Sequence, residues 1–326
     1  MPSSMTHSYF MQDVYNKLEK NIKEKIILED AKTFAQGPDI FYFYNMCLGR
    51  KSKSYRKKGN YMHKHNINLY FNNIIKYIKE NNLEQNKQCL SFLYGSISHH
   101  ILDSTIHPFI FYKTGIFKKD DPSTYKYSGL HQEMEYYLDA YMIFQNEKKE
   151  AKDFKMYKYI LNNNKLEINT LNLISNTIKE TYNFNNMDKI YEKCIKDMKL
   201  FYKLFNYDHF GTKKFIYILA DLLTPKKFIR KKKFSFYLTH NSKKHYLNTE
   251  KNEWNHPTDI YETYNYSFIE LYIIAMDKTL NIIKEINTML NNNKINTNKI
   301  NNLFKNISYT TGKDCEDKRQ MKYFEF

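Results

Sequence analysis

The stretch SHHILDSTIHP, residues 98–108, places His99, Asp103 and His107 four residues apart. On an α-helix, at about 100° per residue, each four-residue step turns by only about 40°, so all three fit one face. HQEMEYYLD, residues 131–139, repeats the spacing with His131, Glu135 and Asp139. Imidazoles and carboxylates on successive turns can converge on a single cation. Zinc takes such nitrogen and oxygen ligands, and a mixed shell with an open position is the catalytic kind. One such pair is a weak signal, because helices present polar i, i+4 neighbours constantly. Two pairs, with further histidines heading apolar stripes, are a stronger one.

Those further histidines lie upstream. His7 heads the stripe Met11, Val14, Leu18, and His63 heads Ile67, Tyr70, Phe71, Ile74 and Ile78. His65 continues through Leu69, Asn72 and Lys76, a mostly polar face, and is read as solvated. His100 is offset from His99 and Asp103, which suits packing or support of a ligand. Asp39 follows a Gly-Pro turn that can aim a carboxylate from a loop into a site, an ordinary Asx turn being the alternative. Asp139 is read either as supporting the ligands or as a surface group. His209, His240, His245 and His256 lack carboxylates at helical spacing and are read as loop or surface residues.

The fold expected is all-α: a single multi-helix domain with a metal cluster between inward-facing helices. Residues 1–150 form the catalytic core, and residues 151–326 a helical extension packing on it. Pro108 is expected to end the helix that carries the motif. A helix is expected from Ser128 through Phe144 and another over Ser267–Leu290. Asn162–Asn164 and Asn291–Asn293 read as loops or solvated helix ends, and Lys226–Lys233 as a basic loop or surface edge.

Composition bounds the partners. The 326 residues hold 51 Lys and Arg against 35 Asp and Glu, a net charge of +16, with 42% hydrophobic residues. That is enough apolar material for a core, and 8 Gly with 6 Pro argue against a turn-dense β fold. No apolar run is long enough to span a bilayer. The four cysteines are far apart in sequence, so neither a disulfide framework nor a thiolate zinc site is expected. The N-terminal residues lack the pattern of a signal peptide, so a cytoplasmic location is expected, with unconventional release as the alternative. The charge favours anionic partners such as phospholipid headgroups, with peripheral contact at a membrane surface, or nucleic acid.

Taken together, THSYF (residues 6–10), GPDIFYFYN (37–45), MHKH (62–65), SHHILDSTIHP and HQEMEYYLD resemble, in order, the bacterial zinc-dependent phospholipase C family. WNHPTDIYETYNYSFIELY (254–272) is similar to that family's later helical segment. The resemblance implies an all-α domain around two or three zinc ions. His63, His99 and Asp103 would hold one, His107, His131 and Glu135 a second, and His7 with Asp103 a third. Asp39 matches the family's acidic residue beside the metals, a ligand that also positions or deprotonates the attacking water. The secreted members complete the third site with a terminal amine, here Met1 or Pro2. Choline-preferring members carry an aromatic residue directly after that aspartate, where this chain has Ile40, followed by Phe41 and Tyr42.

The activity so implied is phosphodiester hydrolysis, releasing diacylglycerol and a phosphorylated headgroup from a phospholipid. The nearest alternative is a single-strand nuclease or nucleotidase with the same helical zinc site, for which 30 Tyr would supply base stacking. A non-enzymatic metal- or lipid-binding protein is the third reading. The chain has no His-Asp dipeptide, which disfavours the phosphohydrolases marked by that doublet.

Overall fold

A computed structural model describes residues 4–46, 52–161, 165–222, 236–292 and 295–325. Helices dominate them: α1 (Ser4–Lys17), α2 (Lys20–Lys23), α3 (Leu28–Phe34), α4 (Ser52–Met62), α5 (Ile67–Glu80), α6 (Lys87–Thr114), α7 (Leu130–Glu147), α8 (Met156–Ile160), α9 (Ile168–Tyr182), α10 (Met187–Phe205), α11 (Thr212–Leu222), α12 (Phe268–Asn291) and α13 (Thr297–Phe304). The fold is all-α in character, as the periodicity predicts. Asn162–Asn164, Lys226–Lys233, Asn293, Cys47, Met1 and Pro2 lie outside the described residues.

Helix α6 is the central beam, packed on α3, α12, α1 and α7. Nearly every residue from Gln88 to Asp103 is buried, so its surroundings are protein on all sides. The Asn86 side chain caps it by accepting the Cys89 N–H at 2.8 Å, a contact of about 1 kcal/mol relative to alanine. Helix α12 starts on a full capping box between Ser267 and Glu270. Helix α13 lays Phe304 flat on Phe71 of α5, with ring centroids 4.0 Å apart. One hydrophobic core joins Met5 near the start to Tyr309 near the end. Cys89, Cys194 and Cys315 are free. No described helix is long and apolar enough to cross a membrane.

Three local expectations are corrected. Helix α6 does not stop at Pro108 but carries it and runs on to Thr114. Burial of Phe109, Ile110 and Thr114 holds that last stretch in place, and this outweighs the one hydrogen bond that proline denies the Ser104 carbonyl. His63 does not lie on α5: it follows the end of α4, and Asn66 at φ 55° breaks the helix before Ile67. The predicted stripe from Ile67 to Ile78 is nonetheless buried as one face. Finally, the segment 254–264 is not helical. Strands β1 (Trp254–His256) and β2 (Asp259–Tyr264) form an antiparallel hairpin, Trp254 opposite Tyr264, with an irregularity between Asn255 and His256. Its β-branched and aromatic residues suit a half-buried strand pair.

Candidate metal centre

All eight sequence-predicted residues converge. His7 comes from α1, His63 from the turn after α4, His99, Asp103 and His107 from α6, and His131 and Glu135 from α7. Asp39 sits on a 3₁₀ turn, Gly37–Phe43. Asp103 is the hub. Its Oδ1 lies 3.1 Å from His7 Nε2. Its Oδ2 lies 3.2 Å from His99 Nε2, 3.7 Å from His107 Nδ1 and 3.9 Å from His63 Nε2. Asp39 reaches His63 Nε2 at 3.0 Å and His99 Nε2 at 3.7 Å. Glu135 lies 3.1 Å from His131 Nε2 and 3.7 Å from His107 Nε2.

The ligand atoms fall into two groups, each within 4.8 Å: His7, Asp39, His99 and Asp103, then His107, His131 and Glu135. The second group is the one the resemblance implies. The first differs from it, since Asp39 enters the tight set while His63 stands at its edge. His7 and His99 also stack, ring centroids 4.2 Å apart, so what the resemblance divides between two ions is here one compact cluster.

Backbone carbonyls orient the rings. His63 Nδ1–H donates to Gly59 O at 2.7 Å, His99 Nδ1–H to Ala35 O at 2.9 Å and His107 Nδ1–H to Tyr309 O at 2.8 Å. A carbonyl on Nδ1 leaves the Nε2 lone pair for a cation. Buried His7 Nδ1, His99 Nε2, Asp103 Oδ2 and His131 Nδ1 have no hydrogen-bond partner, and buried polar atoms without partners are rare unless something binds them. Nitrogen and oxygen donors without thiolates suit a catalytic zinc shell. The residues fit the metal.

Without metal, the charges of the site hold one another. Burial alone would raise the Asp103 and Glu135 carboxyls, but the histidines around them hold both well below the usual range. Burial would lower His107, yet Asp103 and Glu135 push it up to about 9. Carboxylates and imidazoles thus offset one another's charge in the site. Burial pushes His100 down to about 4; its Nε2–H donates to Ile307 O at 2.9 Å, and its ring packs on Tyr309. It is a packing residue. Asp139 is buried and accepts from both the backbone N–H and the hydroxyl of Thr6, at 2.7 and 2.9 Å, which pins α1 beside His7.

Several contributors carried no sequence signal. Segment 307–312, far along the chain, walls the centre through Tyr309, whose N–H donates to His63 O and whose O holds His107. Gly312, at φ +64°, lets this segment lie against α6, since a Cβ there would fall 2.4 Å from Ser104 O. Tyr42 was discernible: on a 3₁₀ turn i and i+3 eclipse, so it shares the face of Asp39, while Ile40 is fully buried. Among the later histidines, His209 pairs with Asp153 at 2.8 Å and His240 with Glu150 at 2.7 Å, partners from distant elements. His256 is buried on β1 rather than in a loop or on the surface, donating Nε2–H to Thr311 O. His65 is exposed, as read.

Gly37 is under the strictest constraint. Its φ is +50°, and a Cβ would fall 2.4 Å from His99 Cδ2. Gly37→Ala is expected to cost roughly 1–3 kcal/mol through backbone strain and a displaced His99 ring. Thermal unfolding with and without zinc measures this, and an unchanged midpoint in both would show that the ring yields freely.

A mostly helical scaffold that gathers two groups of histidines and carboxylates able to hold metal ions, part of them lining one cleft, defines a metal-binding protein. The sequence profile of zinc-dependent phospholipase C matches residues 6–184, more than half the chain, and the chain belongs to that family. No curated protein and no solved structure gives a match.

Proposed function

We propose that this zinc hydrolase is a phospholipase C, cleaving a phospholipid to diacylglycerol and a phosphorylated headgroup. The observation that carries the reading is one cleft of about 390 Å³ into which both ligand groups open, through Asp39 and His63 on one side and His107, His131 and Glu135 on the other. That volume suits a headgroup-sized ligand. Tyr42, Phe111, Phe117 and Tyr127 give the cleft apolar and aromatic walls, while Asn60, Lys64 and Gln132 add hydrogen-bonding groups.

His7, Asp39, His63, His99 and Asp103 would hold zinc on one side of the centre, and His107, His131 and Glu135 on the other. Bound zinc supplies Lewis acidity to the phosphodiester and favours water as a nucleophile at neutral pH. Asp39 lines the cleft and is the carboxylate that orients the attacking water and accepts its proton. Lys64 and Asn60 at the cleft wall orient the phosphate and headgroup, and the aromatic walls exclude bulk water around the reacting bond.

The test is a paired assay of zinc-loaded protein on a short-chain phospholipid and on single-stranded DNA. Diacylglycerol release from the lipid is expected. Nuclease turnover with no lipid turnover overturns the reading in favour of nucleic acid.

A further inference from the structure

Residues 210–222 put an unusual surface into solvent. Phe210 is 89% exposed, Phe215 70% and Leu222 77%, with Ile216, Ile218 and Leu219 also exposed. On α11, Phe215, Ile218, Leu219 and Leu222 fall at i, i+3, i+4 and i+7, one apolar stripe, and Ile216 widens it. Large apolar groups exposed singly are ordinary; a contiguous set marks an interaction site. The helix is held to the body elsewhere. Buried Asp208 accepts from the Thr212 hydroxyl at 3.0 Å and the Lys213 N–H at 2.9 Å, and Tyr217 meets the Tyr237 ring edge-on. The apolar face is therefore turned outward by its own anchoring.

Charge selects the occupant. Over residues 210–235 the sequence carries eight Lys or Arg and one acid, Asp221. Lysine is depleted at the heart of protein interfaces, whereas apolar helices rich in neighbouring Lys and Arg lie in the boundary layer of anionic bilayers. We propose that α11 is an interfacial anchor, inserting Phe215, Ile216, Leu219 and Leu222 into an anionic phospholipid surface. It rests on the phospholipid reading of the cleft, in that it brings the enzyme to aggregated substrate.

The test is co-sedimentation of the zinc-loaded full chain, in brief incubations on ice, on vesicles of phosphatidylglycerol with phosphatidylcholine and on phosphatidylcholine alone, with phospholipid hydrolysis followed separately at working temperature. Binding to the anionic vesicles is expected, weakened by salt and at least about tenfold by the triple variant Phe215→Ser, Leu219→Ser, Leu222→Ser. That variant should keep its melting temperature and its hydrolysis of a monomeric short-chain substrate. Equal binding by both proteins, or none by either, overturns the anchor. So does a native dimer that the triple variant dissociates, which would make the face a contact between copies. A marked fall in the variant's melting temperature also overturns it, by showing the face covered by the chain itself. Vesicle binding without hydrolysis of any phospholipid supports the anchor while overturning the reading of the cleft.

Discussion

Asp103→Asn is expected to lower hydrolysis by about 10³-fold and to reduce the zinc carried per chain. Oδ1 and Oδ2 of this one carboxylate lie within 3.9 Å of ring nitrogens from His7, His63, His99 and His107. Asparagine keeps the shape but removes the anion the four imidazoles share, and its amide group turns a donor toward ring nitrogens that a cation would need. A thousandfold loss corresponds to roughly 4 kcal/mol of transition-state stabilisation, within what metal assistance supplies. Initial rates and elemental analysis read both effects, and circular dichroism should show the helices intact because the volume at residue 103 is unchanged. Wild-type zinc content with wild-type rate would remove Asp103 from the centre.

Removal of zinc by a strong chelator is expected to abolish activity and lower the melting temperature, with zinc restoring both. Ligand held only by the folded state adds RT ln(1 + [L]/Kd), about 2.7 kcal/mol at a hundredfold excess over Kd. The metal-free centre also bears a cost of its own, since His7 Nδ1 and His99 Nε2 are buried without hydrogen-bond partners, at about 1–3 kcal/mol for each such group. Calcium and magnesium should not substitute, because they prefer all-oxygen shells and this site offers five imidazoles. Activity unchanged after complete stripping would contradict a metal mechanism.

Much of the helical frame was legible. The stripes of α1 and α5 and the approximate extents of α7 and α12 follow from the sequence pattern, because each helix buries one face. Misreadings arose where tertiary packing overrode a local preference. Pro108 stays helical because the residues after it are buried. His63 seemed continuous with α5 because four-residue spacing persists numerically across the left-handed break at Asn66. Family resemblance alone marks 254–264 as part of a helical segment, whereas its β-branched and aromatic residues pair as a hairpin. Sequence alone leaves His256 a loop or surface residue, because its partner, Thr311 O, is a carbonyl that no residue type announces.

The site divides along the same physical line. His99, Asp103 and His107, with His131 and Glu135, were readable because covalent spacing and the helical repeat alone put them on shared faces. That His7, Asp39 and His63 meet them was suggested by resemblance, but their meeting is a product of packing, with Gly37 admitting His99 beside the Asp39 turn. The carbonyls of Gly59, Ala35 and Tyr309 that aim the rings were invisible, because every residue carries one and only the folded path selects which faces an imidazole. Residue types and spacing decide which atoms can bind a metal; the tertiary structure decides which of them point at the same place.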